Sequence, residues 1–301
     1  MTRPERVLIT DVALRDGLQI QPLTVPTETK LAILDDLLAA GIRSLEVGSF
    51  VHPGLVPQMA DADVLFQRLP VVPDVQMLAL VPNSRGAERA VAAGVRDVRI
   101  VLSCTEGHSQ ANTNRSVSEG LRETESVIER LRAVGGVRVV GALATAFVCP
   151  FDGRVSAEQV GRLVGPLVDM GLDEISLADT LGKADPKQVE VTVQAMREQF
   201  PQITFGLHLH NTYGMALANV VAGLDNGIGQ FDAALGGIGG CPFAPGAAGN
   251  VATEDVVFML HAMDVQTGID LDALGGAAAR LRSALSRPLE SAVSRALGWA
   301  A

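Results

Sequence analysis

The chain has 301 residues, 48% of them hydrophobic, and a formal net charge of −10 from 24 Lys and Arg against 34 Asp and Glu. It can bury a full core as one large domain or two small ones, and it has no apolar run of about 18 residues that would span a membrane. Its bases are dispersed, with one Trp and one Tyr beside nine Phe, which excludes a nucleic-acid footprint and a membrane-binding basic face and leaves a small molecule as the expected partner. Cys104, Cys149 and Cys241 are odd in number and widely spaced, and the start MTRPERVLIT has neither an apolar signal core nor a transit-type stretch. Free thiols in a reducing cytoplasm are expected.

Taken in chain order, short β-branched runs alternate with longer stretches of helical spacing, the pattern of βα units around a parallel sheet. The expected strands are VLITDVAL (7–14), SLEVGSF (44–50), VQMLALV (75–81), DVRIVLSC (97–104), VRVVGALATAF (137–147), EISLADT (174–180), ITFGLHLH (203–210) and QFDAALGG (230–237). Between the first two, TETKLAILDDLLAAG sets Leu31, Leu34, Leu37 and Leu38 on one helix face and stops at Gly41. SAEQVGRLVGPLVDMG repeats the design, with Ser156 as N-cap and Gly171 as stop. Eight such units, with no dinucleotide fingerprint after the first strand, predict a closed (β/α)8 TIM barrel over residues 1–264. Residues 265–301 are expected to be appended helices packed on it.

In such a barrel the chemistry lies at the C-terminal ends of the strands, and the unusual residues of this chain collect there. RDGLQ (15–19) follows strand one, Glu46 sits late in strand two, Asp179 ends strand six, and HLH ends strand seven. A period of two sends His208 and His210 to the same side of the strand, while Leu209 points the other way. Two such histidines can be hydrogen-bonded core residues. With Asp16 after strand one and Asn250 after strand eight they can also make a nitrogen and oxygen ligand set, without thiolate, suited to six-coordinate Mn²⁺ or Mg²⁺. Arg15 can be a salt-bridge partner of Glu46 or a catalytic cation. Asp179 can be a helix N-cap, with Thr180 as a competitor, and Glu46 and Asp11 can line the polar mouth of the barrel. GGIGGCPFAPGAAGN (236–250) has six glycines and fits neither common phosphate-binding pattern. Its Cys241 is either a small buried hydrophobe or, glycine-flanked over the barrel mouth, a reactive thiol.

DVALRDGLQ, SLEVGSFVHPGLVPQMAD, EISLADTLG, HLHNTYGMALAN and GGIGGCPFAPGAAGNVATED, in this order, resemble the 3-hydroxy-3-methylglutaryl-CoA lyase family. The cysteine loop is the most specific block, and the resemblance implies a (β/α)8 barrel and a Mg²⁺- or Mn²⁺-dependent retro-Claisen cleavage of a 3-hydroxyacyl-CoA to acetyl-CoA and a ketoacid. It implies Asp16, His208, His210 and Asn250 as metal ligands, Arg15, Glu46, Asp179 and Cys241 as catalytic residues, and a homodimer. Bond cleavage requires a base for a tertiary hydroxyl; His208, Asp16 and Asp179 are the candidates, unranked by sequence. Arg15 would face the enolate oxygen and Cys241 would protonate the acetyl-CoA carbanion. The chain departs from the family at Ile20, Gln21 and Pro22, where Asn-Glu and often Lys are usual, at Gly54 and Leu55, where Lys-Trp is frequent, and at Asn211, where Asp is common. These departures leave the acyl group open. The alternatives are a Claisen-condensing synthase of the isopropylmalate type, a pyruvate-releasing aldolase, and a catalytically silent metal-binding barrel.

Overall fold

The computed structural model describes residues 3–240 and 249–299. The chain begins with β1 (Leu8–Asp11), α1 (Thr27–Ala39), β2 (Ser44–Ser49), α2 (Ala62–Gln67), β3 (Gln76–Leu80), α3 (Ser84–Ala92) and β4 (Asp97–Ser103). Next come α4 (Glu106–Thr113), α5 (Val117–Val134), β5 (Arg138–Ala144), the short pair β6 (Val148–Cys149) and β7 (Gly153–Arg154), and α6 (Ala157–Asp169). β8 (Glu174–Asp179), α7 (Pro186–Gln199), β9 (Thr204–Leu209), α8 (Ala216–Asp225), β10 (Gln230–Ala233), α9 (Thr253–Ala262), α10 (Leu271–Leu285) and α11 (Ala292–Ala296) complete it. The sheet closes in the order β1-β10-β9-β8-β5-β4-β3-β2, so the expected barrel is present, and the antiparallel β6-β7 pair lies outside it. Among the described residues no helix is long and apolar enough to cross a membrane.

All eight expected barrel strands form, but several end early for local reasons. β1 stops at Asp11, whose Oδ1 accepts Ala13 N at 2.9 Å, and Ala13–Gly17 then wind into a π-helical turn. Arg15 and Asp16 therefore stand on that turn, and Leu14 is not a strand residue. β5 stops at Ala144 because Thr145 takes a positive φ of 56°, a conformation no strand continues. After β10, Leu235–Gly237 form a tight turn in which Gly236 and Gly237 have φ of 69° and 67°, available to glycine without strain. Glu46 is the third of six residues in β2, mid-strand rather than late, beside an irregularity between Glu46 and Gly48.

The buried face of α1 is Lys30, Ile33, Leu34 and Leu37; of the expected leucine row Leu34 and Leu37 are fully buried, while Leu31 and Leu38 pack only partly buried against the core. Lys30 can be buried because its Nζ donates to Asp61 Oδ1 at 2.6 Å and Gln58 O at 2.7 Å. Ser156 caps α6 in a reciprocal capping box with Gln159, and Gly41 and Gly171 follow α1 and α6 with positive φ, as expected. α10 rests on α1, where Arg280 Nε donates to Asp36 Oδ2 at 2.6 Å, and the N-terminal end of α11 is tied to α9 by Ser291 Oγ donating to Asp255 Oδ1 at 2.7 Å.

Glu254, in the first turn of α9, accepts Gly236 N at 2.9 Å and Ser294 Oγ at 2.9 Å, and burial raises its pKa to about 7. An acid whose folded pKa is raised favours folding fully below its unfolded pKa, and that contribution is lost as pH rises through the folded value. Glu254→Gln, which mimics the protonated acid, is expected to flatten the fall in stability between pH 5 and 8 by up to about 3 kcal/mol. Denaturant midpoints at the two pH values measure this, and parallel profiles for variant and wild type would contradict it.

Candidate metal centre and active site

The C-terminal end of β9 and the loops after β1 and β10 bring four buried polar side chains together. His208 and His210 share a face of the strand end, as their spacing demands, with their Nε2 atoms 3.1 Å apart. Asp16 Oδ2 lies 3.7 Å from His210 Nε2 and accepts Asn250 Nδ2 at 2.8 Å. His210 and Asn250 are also bridged through their backbones, which is how the loop after β10 is held against β9. Among the described residues, Asp16, His208 and His210 form a group whose ligand atoms all lie within 4.8 Å of one another.

These residues fit a metal ion. Two imidazole nitrogens about 3 Å apart have the separation of neighbouring ligands on one ion at about 2.1 Å each. Burial holds His210 below the ordinary imidazole range, so it offers a neutral ring at pH 7. Burial alone would raise the Asp16 carboxyl, but Arg15 and the neighbouring His210 and His208 rings outweigh it and hold the group well below its usual pKa, as an anion. Asn250 Oδ1 and His210 Nδ1 are buried without a protein partner, and the amide oxygen is an available fourth donor. Oxygen and imidazole without thiolate is the donor set of a divalent ion that keeps open positions.

Arg15 is 6% exposed and held on two sides, by Glu46 Oε1 accepting its Nε at 2.5 Å and by Asp16 Oδ1 accepting its Nη1. The salt-bridge reading of Arg15 and the catalytic one are thus compatible: Glu46 orients the guanidinium beside Asp16. Asp179 is wholly buried, its two carboxylate oxygens accepting Lys183 N at 3.0 Å and Ala184 N at 2.9 Å, so it shapes the loop after β8. The helix cap that follows is Asp185, and Thr180 Oγ1 instead accepts Thr145 N at 2.8 Å. Burial raises the Asp179 pKa to about 6 despite those amides. Cys241 lies outside the described residues. Cys104 and Cys149 are buried and free, and Cys149 Sγ accepts Thr105 Oγ1 at 3.0 Å.

Two of the departures from the family pattern, Gln21 and Asn211, have local roles. Gln21 is buried, donating to Gly17 O at 2.8 Å and accepting Arg287 Nη2 at 3.2 Å, a tie between the first loop and the chain after α10. Asn211 Oδ1 accepts Ala216 N at 3.2 Å at the start of α8, a task an amide performs as well as a carboxylate. Two functional candidates, Arg99 and Asp232, were not singled out by sequence. Each is a charge flanked by apolar residues inside a strand, Val98 and Ile100 about Arg99 and Phe231 and Ala233 about Asp232, and a buried charge must be paired. Asp232 Oδ2 lies 3.1 Å from His208 Nδ1, and Arg99, outweighing burial, holds the Asp232 pKa at about 2.

A closed parallel barrel with two histidines and an aspartate converging at its C-terminal mouth defines a (β/α)8 enzyme with a candidate metal centre. The HMGL-like family model matches residues 6–280, and the chain belongs to that family. It is 45% identical to an (R)-citramalyl-CoA lyase of Chloroflexus aurantiacus, over 97% of this chain and 95% of that one. Hydroxymethylglutaryl-CoA lyase from Pseudomonas aeruginosa superposes with a TM-score of 0.96 at 38% identity, covering 100% of both chains. An Acinetobacter baumannii HMG-CoA lyase in complex with coenzyme A and 3-methylmalate matches with a TM-score of 0.91 at 38% identity, over 97% of this chain and 95% of that one. The chain is a carbon–carbon lyase.

His210→Ala is expected to weaken Mn²⁺ binding by at least about 10²-fold while leaving the circular dichroism unchanged, since one ring of the cluster is lost. Unchanged affinity in a spin-resonance titration would make His210 a core histidine.

Proposed function

We propose that this lyase cleaves a 3-hydroxyacyl-CoA bearing a tertiary hydroxyl and a far carboxylate, with 3-hydroxy-3-methylglutaryl-CoA giving acetyl-CoA and acetoacetate. The observation that carries the reading is the buried Asp16, His208, His210 and Asn250 cluster beside the braced Arg15. Those four residues would hold Mg²⁺ or Mn²⁺. When bound, such an ion lowers the pKa of the substrate hydroxyl and orients the far carboxylate.

The reaction moves one proton from oxygen to carbon. A base takes the hydroxyl proton, the C2–C3 bond breaks, and its electron pair passes into the thioester enolate. Asp179, with a pKa raised to about 6, is the candidate for that base, because His208 offers Nε2 to the ion and Nδ1 to Asp232. Arg15 supplies fixed positive charge for the enolate oxygen, a contribution of roughly 3 to 4 kcal/mol for one preorganised donor. Glu46 keeps the guanidinium from turning away. Cys241 returns the proton to C2, completing acetyl-CoA.

A second acyl group is favoured by one observation, the 45% identity with a citramalyl-CoA lyase. Its substrate is one methylene shorter between the carbinol and the carboxylate, and cleavage would release pyruvate instead of acetoacetate. The uncharged Ile20, Gln21 and Pro22 of the first loop accord with a substrate pocket altered from the hydroxymethylglutaryl type. We also propose a cytoplasmic homodimer, resting on the resemblance and on the free Cys104 and Cys149, and a barrel over 1–264 buttressed by the extension 265–301.

Mass spectrometry of products from the two thioesters with Mg²⁺ or Mn²⁺ decides the substrate: acetyl-CoA with acetoacetate supports the first reading, acetyl-CoA with pyruvate the second, and cleavage of neither overturns both. Cys241→Ser is expected to keep metal binding and lose turnover by about 10² to 10⁴. Full activity in that variant would remove the thiol from proton transfer.

A further inference from the structure

Arg99 belongs to β4 and pairs through its backbone with β3 and β5, yet its guanidinium is bonded to carboxylates on neither of them. It crosses the barrel interior: Nη1 donates to Glu46 Oε2 of β2 at 2.8 Å and to Asp232 Oδ2 of β10 at 2.6 Å, while Nη2 donates to Asp232 Oδ1 at 3.1 Å. With a guanidinium on both oxygens, Asp232 is a carboxylate and can only accept. Its remaining contact is His208 Nδ1 at 3.1 Å, so the proton of that bond sits on the ring. A neutral imidazole protonated at Nδ1 keeps a lone pair at Nε2, and Nε2 is the atom turned to His210 and the cluster.

We propose that Asp232, clamped by Arg99, is a positioning residue that fixes His208 as its Nδ1-protonated tautomer and aims the Nε2 lone pair at the metal centre. The other histidine has no such brace: His210 Nδ1 is buried without a partner. The two rings are therefore held unequally, His208 preset and His210 set by what it meets. Arg99 has a second branch, since the Glu46 it holds also accepts Arg15 Nε. One buried guanidinium thus braces both the ligand histidine and the arginine meant for the enolate. A carboxylate behind a ligating histidine typically contributes 10- to 100-fold in metal affinity.

The inference rests on the metal reading above, and two measurements separate their failures. In metal-free protein labelled with ¹⁵N at histidine, with His208 assigned by its absence from His208→Gln, the wild-type ring should show a protonated Nδ1 and a bare Nε2. Asp232→Asn, nearly isosteric, should shift that ring toward the other tautomer or a mixture. Its Mn²⁺ affinity, read by spin resonance, should fall about 10- to 100-fold. Wild type that fails to bind Mn²⁺ overturns the metal reading, while the tautomer still judges Asp232. Wild type that binds, beside an Asp232→Asn that binds equally with an unchanged ring, overturns the positioning role. Should Asp232→Asn not fold, Arg99→Lys, which keeps the charge but cannot bridge both carboxylates, is read in the same way: a fall in Mn²⁺ affinity supports the clamp and an unchanged value ends it.

Discussion

The structure turns on a line of alternating charge buried inside the barrel, from Arg15 through Glu46 and Arg99 to Asp232, which ends on the His208 ring. Most barrels of this class fill that space with layers of branched apolar side chains. Here β2, β4, β9 and β10 each contribute one polar member and the turn after β1 contributes another, so the registers of five elements are coupled by charge. Each member on its own would cost several kcal/mol to bury. Together they leave few free conformations, because moving any one strands its neighbour unpaired. Such an arrangement is a poor way to maximise stability and a good way to fix geometry: a guanidinium and an imidazole are each held from behind, with their functional faces left toward the mouth.

Much of this fold was legible in the sequence because the alternation of β-branched runs and helical stretches is a property of local chain chemistry. The strand ends were less legible. β1 gives way to a π-helical turn because the Asp11 carboxylate captures Ala13 N, and β5 ends at Thr145 through a backbone conformation that composition does not announce. Of the α1 leucine row, Leu34 and Leu37 are buried as their spacing implies, while Lys30 joins the buried face through partners, Asp61 and Gln58, that lie far along the chain. The HLH pair was legible for a simple reason, the two-residue period of a strand. Arg99 and Asp232 were not, because their meaning lies in a contact across the barrel between β4 and β10, which are not neighbours in the sheet. The Glu46 and Arg15 pairing is legible from their places at the barrel mouth, and it is present, Glu46 Oε1 accepting Arg15 Nε.

The mouth is built from two loops that depend on each other. Asp11 Oδ2 accepts Leu235 N at 2.8 Å and Thr253 Oγ1 at 2.6 Å, while its Oδ1 takes Ala13 N, so one carboxylate ties the turn carrying Arg15 and Asp16 to both ends of the loop after β10. The contact between these loops leaves no room for a side chain at Gly17, where a Cβ would meet Ile238 at 2.5 Å. Glu254 holds Gly236 from the other side. Gly239 and Gly249 then approach backbone to backbone, a Cβ on Gly249 falling 2.6 Å from Gly239 atoms, and one on Gly239 falling 2.5 Å from Asn250 Nδ2. The described chain therefore ends and resumes at the edge of the Asp16, His208 and His210 cluster. Glycine is required at both stems by this closeness, which gives the glycine-rich stretch a packing reason independent of motion. The two stems, Gly239 and Gly249, are thereby fixed relative to Asp16 and Asn250, so the packing that demands glycine there also sets the position of the Asn250 amide beside the Asp16 carboxylate.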